Sequence, residues 1–193
     1  MFSTYIISSF TSDSYPVVIS LIKENQLSEL EKIATITCMG KVPKTHLDKL
    51  VEYKYTIYID SEKLLDIINQ KYDVLNVEIN AEDIIGWHRV NNGVRTIIID
   101  KNVENITKSI VHEIGHAIDS IYKITKEEEF IVLYNKENNR IRPYAQQSAR
   151  EYFAEFYSIY YMTRIGDTSL YTRIVFPETT LYFENFMKEI ENQ

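Results

Sequence analysis

Hydrophobic and polar positions follow two rules along this chain. Over roughly the first hundred residues, runs alternating with a period of two are interleaved with runs whose apolar residues recur three and four apart. After that only the helical spacing remains. Residues 2–10 alternate weakly and predict a strand. Pro16 suits a helix start, and Val17, Val18, Leu21, Ile22, Leu27, Leu30 and Ile33 continue at helical spacing. Ile33–Met39 is apolar, rich in β-branched residues and followed by Gly40, which predicts a strand. Pro43–Leu50 reads as a short helix and Tyr53–Asp60 as a strand. Ser61 can cap a helix that turns Leu64, Leu65, Ile67 and Ile68 inward, and Val74–Ile79 reads as a strand. Asn92-Gly93 signals a tight turn before a strand over Arg95–Asp100. A long helix capped by Asn105 or Thr107 then runs to about Tyr122. Three more helices are predicted near 126–136, 146–164 and 177–191, with Pro143, Gly166 and Pro177 as punctuation. A small mixed sheet followed by a helical block is an α+β layout. The expectation is one domain, with 1–122 forming the sheet and long helix and 123–193 the helical part.

Composition narrows the function classes. The 193 residues are 45% hydrophobic and 25% charged, with 15 tyrosines, so there is enough apolar surface to bury and disorder is not expected. A net charge of −7 argues against nucleic-acid binding. A single cysteine, Cys38, allows no intrachain disulfide and no cysteine-based zinc site. No apolar run has the length of a membrane span. The first ten residues carry no basic charge, so no secretory signal is read there. The protein is expected to be cytoplasmic and monomeric, or secreted if this chain is a processed form.

The chemistry concentrates in Ser109–Asp119, which contains His112-Glu113-Ile114-Gly115-His116. Residues four apart share a helix face, so two imidazoles can aim at one metal ion while Glu113 reaches a water bound to it. A catalytic zinc keeps three protein ligands and one open position. Asp119 and Tyr122 occupy the positions where the Met-turn proteases have glycine and a third ligand, which excludes that class. Glu127, Glu128 and Glu129 read as a solvated helix start. Glu151 and Glu155 are better candidates, because they lie one turn apart on the apolar stretch Ala149–Tyr157. Spacing alone does not choose between them. His46 and His88 have no partner at ligand spacing and read as structural or solvated.

A resemblance does choose. His112–Asp119, Arg142-Pro143-Tyr144, Glu151–Phe156 and Phe176–Thr179, with Gly86-Trp87 upstream, resemble the catalytic domain of anthrax lethal factor and the Pro-Pro endopeptidases. The resemblance covers roughly residues 85–193 and implies a zincin-like fold. It implies one zinc per chain, held by His112, His116 and Glu151, with Glu113 as general base. It places Tyr144 as the phenol that donates to the oxyanion. Glu155 would accept from a ligand histidine, and Asp119 would orient a ligand or face water. A protein or peptide substrate would lie extended along the strand at Arg95, Thr96, Ile97 and Ile98, with Trp87 as a wall. Two departures stand out. The loop from His88 to Gly93 is shorter and poorer in Trp and Gly than that of the Pro-Pro endopeptidases, and lethal factor's delivery and recognition domains have no counterpart. Neither Pro-Pro specificity nor kinase cleavage is therefore carried over. The alternatives are an ImmA/IrrE-like regulatory protease, and a non-enzymatic zinc-binding protein of the same fold, against which the intact Glu113 speaks.

Overall fold

Helix α1 (Tyr15–Leu21) starts with Pro16 in its first turn, as expected, but stops where the helical spacing would carry it on. Ile22–Lys23 instead forms strand β1. The computed structural model describes residues 14–23, 27–75, 84–163 and 168–191, so the strand expected over 2–10 lies outside them. The chain divides into two compact units, Met1–Glu113 and Ile114–Gln193.

In the first unit, helix α2 (Glu29–Met39) replaces the strand expected over Ile33–Met39. Its start is fixed by a capping box. Ser28 Oγ accepts from Glu31 N at 3.3 Å, and Glu31 Oε2 accepts from Ser28 N at 2.7 Å. Thr35, Cys38 and Met39, three and four apart, are buried. Nucleation and burial outweigh the few tenths of a kcal/mol by which each β-branched residue disfavours a helix. Helix α3 (Lys44–Glu52) buries His46, Leu47 and Leu50. Strand β2 (Tyr55–Ile59) alternates as read, with Tyr55, Ile57 and Ile59 inward.

Helix α4 (Ser61–Leu75) is capped by Asp60 rather than Ser61: Asp60 Oδ1 accepts from Lys63 N at 3.0 Å, while Ser61 Oγ accepts from Lys101 N. Leu64 and Ile68 are buried, but Leu65 is exposed. Val74 and Leu75 belong to this helix and not to the strand expected over Val74–Ile79, whose remainder lies outside the described residues. A helix already propagating is not stopped by one β-branched residue.

Strands β3 (Gly86–Asn91) and β4 (Val94–Ile99) form the hairpin signalled by Asn92-Gly93. The sheet order is β1-β2-β4-β3, with β1, β2 and β4 parallel and β3 antiparallel to β4. β4 is thus interior, and β3 is the outer strand among the described residues. Ile57, Ile59, Ile97, Ile98 and Ile99 are fully buried in the sheet. Helix α5 (Val103–Tyr122) is capped one turn earlier than expected. Asn102 Oδ1 accepts from Glu104 N at 2.9 Å and Asn105 N at 3.4 Å, while the Asn105 amide instead donates to Asp100.

The division between the units falls within α5. The second unit continues through a 3-10 turn (Ile124–Lys126) into helix α6 (Glu128–Glu137). A further 3-10 turn (Pro143–Gln147) precedes helix α7 (Ala149–Met162). Helix α8 (Thr168–Val175), not anticipated from the sequence, is followed by α9 (Pro177–Glu191). The core is aromatic: Phe156 meets Phe183 edge-on at 5.4 Å between centroids, and Phe130 meets Phe153 at 5.7 Å. The fully buried Glu137 accepts from Glu178 N at 3.3 Å and Thr179 N at 3.1 Å, occupying the amides at the start of α9. Among the described residues, no helix is long and apolar enough to cross a membrane.

Candidate metal centre

Helix α5 is buried at every residue from Ser109 to Asp119, with Ile110, Ile114, Ala117 and Ile118 among them. His112, Glu113 and His116 are buried among them, each about 5–6% exposed. Burial of three such polar side chains is costly unless they have a common partner. His112 and His116 are one turn apart, so the helix itself sets their relation.

Within the second unit, Ser148 starts α7: its Oγ accepts from Glu151 N at 3.1 Å, which puts Glu151 in the first turn. The backbone at Gly115 then comes very close to α7. A Cβ at Gly115 would lie 3.0 Å from Ala154 Cα and 3.1 Å from Tyr157 Cβ, so any other residue would require α7 to yield by a few tenths of an ångström. The approach brings Glu151 Oε2 to 3.3 Å from His116 Nε2. Two donors about 2.0–2.1 Å from a tetrahedral zinc are about 3.4 Å apart, so this separation is one edge of such a tetrahedron. Donor atoms of His112, His116 and Glu151 all lie within 4.8 Å of one another. Two buried imidazoles and one half-buried carboxylate, convergent, fit a divalent metal with a position left open.

The other expected residues are placed as follows. Tyr144 lies in the 3-10 turn before α7 and is half exposed. The Arg142 guanidinium sits 5.4 Å from the centre of its ring, and Arg142 Nη2 donates to Glu155 Oε2 at 2.5 Å. Glu155, expected to accept from a ligand histidine, accepts from this arginine. Asp119 is buried, and its two oxygens accept from Thr125 N at 2.8 Å and Thr125 Oγ1 at 2.9 Å. It ties the end of α5 to the following turn, in place of orienting a ligand or facing water.

Trp87 packs against Leu64, Ile68 and Ile98, with Lys71 Nζ 4.3 Å from its ring centre. Arg95, Thr96, Ile97 and Ile98, expected to pair with substrate, are already paired on both sides, with β2 and with β3. An interior strand has no backbone donors left for a substrate, and Ile97 and Ile98 are fully buried. Arg95 instead donates to Tyr53 O at 3.4 Å. His88 shares a hydrogen bond of 3.1 Å with Tyr55 Oη, and His46 is fully buried, with burial pushing its pKa down to about 3.

Sequence reasoning missed Gly115, Ser148 and the partner of Glu155. A glycine in mid-helix costs about 1 kcal/mol relative to alanine and so implies a packing reason, which was the available signal for the first. Ser148, three residues before Glu151, was a legible cap.

No curated protein sequence matches the chain. Among solved structures, it resembles the Pro-Pro endopeptidase PPEP-2 from Paenibacillus alvei, with a TM-score of 0.65 and 20% identity, over 88% of this chain and 99% of that one. That likeness establishes the fold as zincin-like α+β. A family profile described as "Anthrax toxin lethal factor, N- and C-terminal domain" matches residues 17–186. With most of its length covered by that match, the chain belongs to the anthrax toxin lethal factor family.

Proposed function

We propose that the chain is a zinc metalloendopeptidase acting on a protein or peptide substrate. The observation that carries this reading is the convergence of the buried His112 and His116 with the half-buried Glu151, with Glu113 next to the first of them. The likeness to a Pro-Pro endopeptidase supports the same reaction class. His112, His116 and Glu151 would hold one zinc ion. Zinc held there would supply Lewis-acid polarisation of the scissile carbonyl and would acidify the attacking water. The Glu113 carboxylate takes the proton of that water and delivers it to the leaving amine. The Tyr144 phenol donates to the oxygen that gains charge, and Arg142, held by Glu155, steadies its ring. An extended substrate pairs with the outer side of β3, the edge strand among the described residues, rather than with β4.

The test is to incubate zinc-loaded protein and its Glu113→Ala variant with a peptide library that includes Pro-Pro sequences, and to read the cuts by mass spectrometry. The wild type is expected to cut, and the variant to bind one zinc but to cut roughly 10²–10⁴ times more slowly. Equal cutting by both proteins, or none by the wild type, would overturn the reading.

A further inference from the structure

Strand β3 opens on a glycine, Gly86, at a place where a side chain has no room. A Cβ there would lie 2.8 Å from Glu113 Oε1, 3.0 Å from Glu113 Cγ and 3.1 Å from Ser109 Cβ. Non-bonded carbon atoms settle at about 3.5–4.0 Å, so these separations are repulsive. The backbone does not call for glycine here: Gly93 is the only glycine with positive φ among the described residues. What Gly86 supplies is therefore space, filled most tightly by the Glu113 side chain and bordered by Ser109 Cβ.

Neither backbone can step back to make room for a methyl group. The Ile85 carbonyl accepts from Ser109 Oγ at 3.3 Å and from Asp100 N at 3.0 Å, and Gly86 is paired with Ile99 in the β3–β4 ladder. Ser109 Oγ is itself held to Asn105 O at 2.6 Å within α5. The party with rotational freedom is the Glu113 side chain, whose torsions have several staggered wells. A side chain at position 86 would be accommodated by turning the Glu113 carboxylate away.

We propose that Gly86 is a positioning residue whose missing side chain lets the Glu113 carboxylate stand against the start of β3. This deepens the peptidase reading and rests on it for the role of Glu113. A general base moved by about 1 Å loses on the order of 10²-fold in rate. The effect falls on kcat, because neither substrate pairing nor metal ligation involves the carboxylate.

The experiment compares Gly86→Ala, Glu113→Ala and the double variant. Thermal unfolding of the metal-free proteins reads the contact. Zinc stoichiometry, kcat and KM of the loaded proteins read the consequence. Gly86→Ala is expected to keep one zinc, to lose ~100-fold in kcat and to keep KM within about twofold. Metal-free, it should lower Tm by roughly 3–6 °C, and by less than half as much in the Glu113→Ala background. An equal Tm loss in both backgrounds, or an unchanged kcat, would overturn the proposal. Should Gly86→Ala fail to fold, the double variant must fold, and its failure would also overturn it. If the wild type cleaves nothing, the peptidase reading falls, while the Tm comparison still decides whether Gly86 makes room for Glu113.

Discussion

The two units hold the two carboxylates of the proposed site with different materials. Glu113, in the first, stands against a strand of a sheet whose buried residues are aliphatic on both faces, with Ile57, Ile59, Ile97 and Ile99 on one and Ile98 on the other. Backbone ladders fix that sheet, and Gly86 contributes a space rather than a contact. Glu151, in the second, sits on a helix positioned by rings: Tyr152, Phe153, Phe156 and Tyr157 interlock with Phe130, Phe176 and Phe183. No strand occurs in that unit among the described residues. A ladder is indifferent to the shape of side chains it does not use, whereas a close-packed aromatic core transmits a change in volume. The position of Glu113 should therefore follow the backbone, and that of Glu151 the shapes of its neighbours.

The sharpest separation comes from removing each carboxylate. Glu151→Ala is expected to lose stoichiometric zinc and with it all measurable cutting, while Glu113→Ala loses cutting and keeps zinc. Equilibrium dialysis against zinc, together with a peptide assay, reads both. Zinc retained at full affinity in Glu151→Ala would remove Glu151 from the ligand set and break the comparison at its base. The next effect is one of packing. Phe183 is buried against Phe153, Phe156, Tyr157, Tyr160 and Tyr161, and Phe183→Ala should cost about 3–5 kcal/mol in urea unfolding. In the fraction that remains folded, zinc affinity should fall too, because α7 carries Glu151. A destabilised variant with wild-type zinc affinity would show that the ring cluster does not position the ligand.

This difference in materials also explains what could be read from the chain beforehand. The alternation of Tyr55–Ile59 and the Asn92-Gly93 turn were legible because both are local signals with one structural answer. The His112–His116 spacing was legible for the same reason. Ile33–Met39 was misread because β-branched residues bias a segment only weakly, and a capping box at Ser28 and Glu31 decided it. The assignment of substrate contacts to Arg95–Ile98 missed because strand order is a long-range property. Asn92-Gly93 signals the β3 partner, but nothing in the run Val94–Ile99 says that β2 pairs on the side away from β3. Within the centre, the histidines came from spacing, whereas the choice of Glu151 came from a resemblance, since α7 presents two glutamates one turn apart. The Arg142–Glu155 pair joins residues thirteen apart across a turn, and no periodicity carries that information.

The smallest expected effect concerns pH, and here the units should differ in sign. Two of the buried titratable groups in the aromatic core, Tyr152 and Tyr157, are tyrosines whose pKa burial raises. Burial holds Tyr152 and Tyr157 above their ordinary value near 10, so their contribution is complete below that pH and is lost only as pH rises beyond it. His46, on α3 of the first unit, is the opposite case. Burial lowers its pKa from the ordinary 6.5 to about 3, so between those values the unfolded chain binds a proton that the folded protein does not. Stability is therefore full above pH 6.5 and falls as pH drops from 6.5 towards 3. One such group accounts for roughly 1–1.5 kcal/mol between pH 7.5 and 5.5. Urea unfolding of the metal-free wild type and of His46→Leu at those two pH values isolates it from the carboxylates common to both. The wild type should lose that much more than the variant. Equal losses would mean that His46 is protonated in the folded protein as readily as in the unfolded chain. The acid limb of stability would then no longer distinguish the aliphatic unit from the aromatic one.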